Sequence, residues 1–172
     1  MENVKEIKVT SADLHDGKWD DSISNTAAGE NASPELNWEA VEGAGEYAVY
    51  MIDEYDTDYW LHWRAYGVEA PGFAHGAMTP AADGGDDSAP AGKSGFPGAA
   101  FNEYVGPYPP EGVHDYVIYV FALGGPASSY PGSFDAESVS VDVVRKALDQ
   151  SADGGDGNIL AEGKIRGTYA AV

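Results

Sequence analysis

Tyr116-Val117-Ile118-Tyr119-Val120-Phe121 is the stretch that decides the fold. It is apolar throughout, and every side chain is β-branched or aromatic, which is the composition of a strand buried on both faces of a sheet. Extended to its turn signals, this strand runs from Asp115 to Leu123. Outward from it, the chain repeats the theme in shorter form. Glu6 to Thr10, Glu46 to Asp53, His62 to Val68 and Ile159 to Ala170 each read as strands, and the last alternates polar with apolar residues. With 22 Gly, 10 Pro and 11 Tyr, the connections are turn-rich. One stretch has a helical period: from about Ala136 to Gln150, Val141, Val144 and Leu148 fall on one face, with Asp135 or Ser133 as N-cap. Arg145 and Lys146 sit near its carboxyl end, and Gly154-Gly155 break the chain before the last strand. The fold class expected is mostly β with a helix near the C-terminus.

The 172 residues suit one domain spanning 1–172, long enough to bury a core unaided. No run approaches the length of a membrane span, and Met1 to Thr10 lacks the charged-then-apolar order of a secretion signal, so a cytoplasmic protein without a transmembrane segment is expected. There is no cysteine, which removes disulfide and thiolate chemistry. A formal charge of −20 repels nucleic acid phosphates; the same acid excess also fits solubility or adaptation to salt. Between about 76 and 98 the composition falls to Ala, Gly, Asp, Pro and Ser, which reads as a long flexible loop, with an interdomain linker as the rival.

Only four histidines are present. His15, beside Asp16 and Gly17, and His75, at the start of the long loop, read as solvated surface residues. His62 stands in Tyr59-Trp60-Leu61-His62-Trp63, either on the floor of an aromatic-walled pocket or as a satisfied core histidine. His114 leads into the most apolar strand, either as a strand cap or at the mouth of a sheet where turns present side chains to ligands. Asp53 ends another strand, placed to accept an imidazole N–H and hold that ring as a cation. Val105-Gly106-Pro107-Tyr108 supplies a glycine at which backbone can approach a ligand.

Together these pieces resemble the phosphatidylethanolamine-binding protein family, in its bacterial and archaeal, Raf kinase inhibitor-like branch. Asn31-Ala32-Ser33-Pro34-Glu35-Leu36-Asn37-Trp38 is similar to the family's N-x-S-P-x-L-x-W segment. Ala48 to Asp53 resembles the strand ending in its D-P-D-x-P motif. Tyr104-Val105-Gly106-Pro107-Tyr108-Pro109-Pro110-Glu111-Gly112-Val113-His114-Asp115-Tyr116 resembles the long Y-x-G-P-x-P-P-x-G-x-H-R-Y signature. Gly157 to Ala161 and Gly167-Thr168-Tyr169 resemble the family's G-H-I-L-A and G-T-Y ending. The resemblance implies a large central antiparallel sheet, a smaller flanking sheet and one or two helices near the C-terminus. It also implies an anion pocket walled here by Asp53, Trp60, His62, Gly106, Pro110, His114 and Tyr116, a homodimer, and no cofactor. The chain departs from the pattern where Glu54-Tyr55 replace a proline and the second acid, where Asp115 replaces an arginine, and where Asn158 replaces a histidine.

Three function classes follow. The first is a binding protein for phosphate, a phosphoethanolamine-like head group or a carboxylate, with His62 and His114 donating to the anion while Asp53 fixes an imidazole or receives an ammonium. The second is regulation of a partner protein, a kinase or protease, through surface loops. The third is an enzyme with a metal or a His/Asp acid-base pair; H-x-H, H-E-x-x-H and G-x-S-x-G are absent, so an enzyme is not expected.

Overall fold

Val113–Leu123 forms β9, and all but two residues at its entrance, Val113 and Asp115, are buried, as its unbroken apolar run requires. In this computed structural model, residues 4–55, 59–79, 101–132 and 139–172 are described. The N-cap candidates Ser133 and Asp135, and most of the proposed 76–98 loop, lie outside those residues.

The further strands are β1 (Lys5–Glu6), β2 (Leu14–His15), β3 (Lys18–Trp19), β4 (Leu36–Asn37), β5 (Glu46–Asp53), β6 (Trp60–Val68), β7 (Gly72–Phe73), β8 (Phe101–Tyr104) and β10 (Ile159–Ala170). An eight-stranded sheet runs β2-β3-β10-β9-β5-β6-β8, with β1 beside β10, and β4 and β7 make a separate two-stranded sheet. The centre, from β10 through β8, is antiparallel as expected. The edge differs: β1 and β3 both pair with β10 in parallel, so the whole sheet is mixed. Close approach permits this, because a Cβ on Gly163 would stand 2.0 Å from the Ile7 carbonyl oxygen, and only glycine admits the N-terminal segment there.

The sheet buries both faces. One side packs Val49, Met51, Trp63, Tyr116, Ile118 and Val120 beneath the N-terminal segment and the small sheet. The other packs Tyr50, Ile52, Leu61, Val117 and Phe121 against Val144 and Leu148 of α1 (Val141–Leu148). α1 is shorter than its periodicity suggested and is capped by the Ser140 side chain, which accepts from Val143 N–H.

β6 breaks the alternation rule. Met51 pairs with Trp63 but Ile52 pairs with Leu61, so β6 carries one extra residue at this point, and that residue is His62. The bulge puts Leu61 and Trp63 on opposite faces of the sheet, where regular pleating would put them on the same face.

Candidate functional site

Asp53 closes β5, His62 occupies the bulge near the start of β6, and His114 is the second residue of β9. Because β5 is antiparallel to both neighbours, these three positions meet at one end of the sheet, with Asp53 paired to Trp60 on one side and Tyr116 on the other. A cavity of about 560 Å³ opens there, within the usual size range of small-molecule sites. Its lining includes Asp53, Trp60, His62, Pro110 and His114 of the expected wall. Tyr116 lies directly beneath, wholly buried, with its ring edge-on to His62 at 5.1 Å and 6.3 Å from the ring of His114.

Each imidazole is anchored through Nδ1. His62 Nδ1–H donates to the Val105 carbonyl at 2.9 Å, and Val105 N–H returns a bond to the His62 carbonyl at 2.8 Å. His114 Nδ1–H donates to Asp53 Oδ2 at 2.6 Å, a short charge-assisted bond. With Nδ1 committed, Nε2 is the remaining nitrogen of each ring. His114 Nε2 is buried with no hydrogen-bond partner, and Tyr116 Oη, close to Asp53, is buried without a well-formed one. Burial also pushes the Tyr116 phenol far above its ordinary pKa, so it stays protonated.

The cationic cradle expected from sequence needs revision at His62. Burial lowers its pKa below the ordinary value and outweighs the Val105 carbonyl and the Asp53 charge, which both raise it. The free protein therefore holds His62 neutral near pH 7. Asp53 is also more fully committed than expected: Oδ1 accepts Tyr55 N–H at 2.9 Å while Oδ2 takes His114, which makes it an orienting group.

Gly106 has a different part from the one predicted. Its N–H donates to Asn31 Oδ1 at 2.6 Å and so is not offered to the cavity. A Cβ there would lie 1.9 Å from the Ile23 carbonyl oxygen, so the glycine is required by the chain crossing beneath it. That crossing is tied further by Asn25 N–H to the Pro107 carbonyl at 2.9 Å and by Tyr104 Oη to the Ile23 carbonyl at 2.7 Å. The Asn25–Asn31 turn thus fixes the segment that anchors His62.

Sequence reasoning missed Asn25, Tyr55 and Glu111, and named Tyr59, Val105 and Tyr108 only as neighbours of the expected wall; all six line the cavity. Tyr55 lies flat on His114, with ring centroids 4.0 Å apart and planes 2° apart. Tyr59 adopts a positive φ of 45°, uncommon for an aromatic residue, at the rim. The aromatic wall beside His62 was legible in Tyr59-Trp60, whereas Tyr55 and Tyr108 were not read as part of it.

The three departures from the motif have structural explanations. Asp115 lies 4.0 Å from Arg166 of the adjacent β10, which supplies a guanidinium from the neighbouring strand and also holds Glu54 at 3.3 Å. Asn158 is buried, accepts Gly125 N–H, and donates to the Gly125 and Leu148 carbonyls, joining the β9–β10 connection to the end of α1. Tyr55 covers His114. Of the two histidines set aside, both are exposed: His15 lies 3.2 Å from Asp20, and His75 bonds Asp13 at 2.9 Å.

A mixed sheet of this order, with a histidine from each of two strands over one buried tyrosine, defines the class of protein. The chain belongs to the phosphatidylethanolamine-binding protein family, whose sequence profile matches residues 10–170. Among its relatives is the UPF0098 protein of Methanothermobacter thermautotrophicus, 30% identical over 147 residues that cover 84% of this chain and 86% of the relative. Two solved structures share the fold at 22% identity. YbcL of E. coli, described as a member of the mammalian PEBP family, has a TM-score of 0.66 and covers 97% of this chain and 99% of its own. The putative PEBP homologue CT736 of Chlamydia trachomatis has a TM-score of 0.63, covering 98% and 99%. Among the described residues no helix is long and apolar enough to cross a membrane.

Proposed function

We propose that the chain is a binding protein for a small anion, phosphate, a phosphoryl head group or a carboxylate, held on Nε2 of His62 and His114 with Tyr116 donating from below. The observation that carries this reading is His114 Nε2, a buried polar atom without a hydrogen-bond partner on a residue that lines the cavity, with the buried Tyr116 ring beneath it. A buried polar group left without a partner costs about 1–3 kcal/mol, and an anion oxygen satisfies His114 Nε2 when that nitrogen carries a proton. Asp53 acts as the group that orients His114.

Phosphate titration by calorimetry on the wild type and on His114→Ala tests the assignment. A loss of at least tenfold in affinity supports it, and equal binding by the variant defeats it. Regulation of a partner protein, a kinase or protease, belongs to the same reading as the use to which ligand binding is put. Recovery of a stoichiometric partner from the source cell supports that use, and the proposed homodimer is tested by light scattering.

A further inference from the structure

The cavity lies in a chain of net charge −20, and among the described residues its lining contains two carboxylates, Asp53 and Glu111, but no lysine or arginine. An anion entering alone meets a repulsive field, with no lysine or arginine among the described lining residues to offset it. The rim has a different chemistry. Among the described residues the large exposed hydrophobic side chains are Tyr55, Trp60, Tyr108, Val113, Val143 and Val172, and every aromatic one lines this cavity, at 52%, 43% and 62% exposure. Tyr59 completes the ring-lined mouth.

We propose that this rim receives a methylated ammonium, so that the ligand is a zwitterion of the phosphocholine type, its anionic end on the two histidines and its cation among the aromatic rings. This inference rests on the anion-binding reading above. Faces of tyrosine and tryptophan attract diffuse cations, and clusters of them are the usual receptors for quaternary ammonium groups. A primary ammonium needs short N–H bonds to acceptors, and the best placed acceptor, Asp53, already receives Tyr55 N–H and His114. Glu111 is exposed, and water screens it as a partner for a localised charge. Tyr55 is informative because an aromatic ring stands where the family motif has an acid. It turns one face to His114 and remains half exposed on the side away from that stack. A ligand carrying its own cation also removes the electrostatic objection, since it enters with little net charge.

The test is calorimetric titration of the full chain with inorganic phosphate, phosphoethanolamine and phosphocholine at one pH and salt concentration. Phosphocholine is expected to bind at least tenfold more tightly than phosphoethanolamine. In Tyr108→Leu that ratio is expected to shrink several-fold, and in Tyr55→Asp the order is expected to reverse in favour of phosphoethanolamine; circular dichroism checks that both variants fold. Co-sedimentation with phosphatidylcholine vesicles assigns the group to a lipid head, and binding of free phosphocholine alone assigns a soluble zwitterion; either outcome supports the proposal. Phosphate binding with phosphocholine no tighter than phosphoethanolamine overturns it and leaves the anion site standing. Absence of binding by all three ligands defeats the anion reading, and this inference with it.

Discussion

Anion binding at His62 is expected to draw a proton from solution. Its Nδ1–H is committed to the Val105 carbonyl, so the atom presented to the cavity is Nε2, and in the neutral ring that atom is a lone pair. A lone pair repels an anion, whereas a protonated Nε2 makes a charge-assisted bond contributing about 1.5–3 kcal/mol. At about 1.36 kcal/mol per pKa unit, that gain is a roughly 10- to 150-fold change in affinity. The sign follows from burial, which lowers the pKa of the free protein's His62, while the bound anion raises it. Affinity is therefore full below the free-state pKa and declines as pH rises through the bound-state pKa. Sulfate is the suitable probe, because its own charge is fixed across this range. Calorimetry from about pH 5.5 to about pH 8, in buffers of differing ionisation enthalpy, should show weakening of that size and uptake approaching one proton per anion between the two pKa values. Sulfate that binds with constant affinity and no proton uptake would refute the reasoning. Acidification has the opposite effect on the free fold: with the folded pKa depressed, this contribution to stability is present above about pH 6.5 and is lost as pH falls toward the folded value.

Gly106→Ala should lower stability by about 1–3 kcal/mol through the Ile23 clash and weaken sulfate binding by shifting the Val105 anchor, read by thermal melting and calorimetry. Glu103→Gln should destabilise by about 3–5 kcal/mol, since Arg64 loses the carboxylate 3.0 Å away at a largely buried site; denaturant unfolding measures it. Asn158→Ala should cost about 2–3 kcal/mol by leaving Gly125 and Leu148 backbone groups unpaired, and hydrogen exchange should show the loss at the β9–β10 connection and the end of α1.

The long strands were legible because burial on both faces, or regular alternation, leaves a pattern many residues long. β5 and β10 have the bounds read from sequence, while β6 and β9 begin two residues earlier than expected. β2, β3, β4 and β7 have two residues each and cannot show a period. The parallel edge was also hidden, because pairing direction at Gly163 depends on where Ile7 passes, which no local pattern encodes. At the site, Asp53, His62 and His114 could be singled out by residue type at strand ends. Their connections could not: the bulge that re-aims His62 consists of a register slip between two strands, and Gly106's true neighbour, Ile23, is more than eighty positions away. Of the aromatic rim only the Tyr59-Trp60 part was legible, because Tyr55 and Tyr108 stand outside the strands, where exposed tyrosines carry no periodic signature.

The distribution of indoles gives this protein a built-in optical sensor. Trp19, Trp38 and Trp63 are buried at 3%, 7% and 0% exposure and should emit in the blue, whereas Trp60, at the cavity mouth, is 43% exposed and should supply the red edge of the spectrum. Occupancy is then readable as a quench or blue shift of that edge, without a label. Trp60→Phe provides the spectroscopic blank, because it silences the reporter while keeping a ring in place.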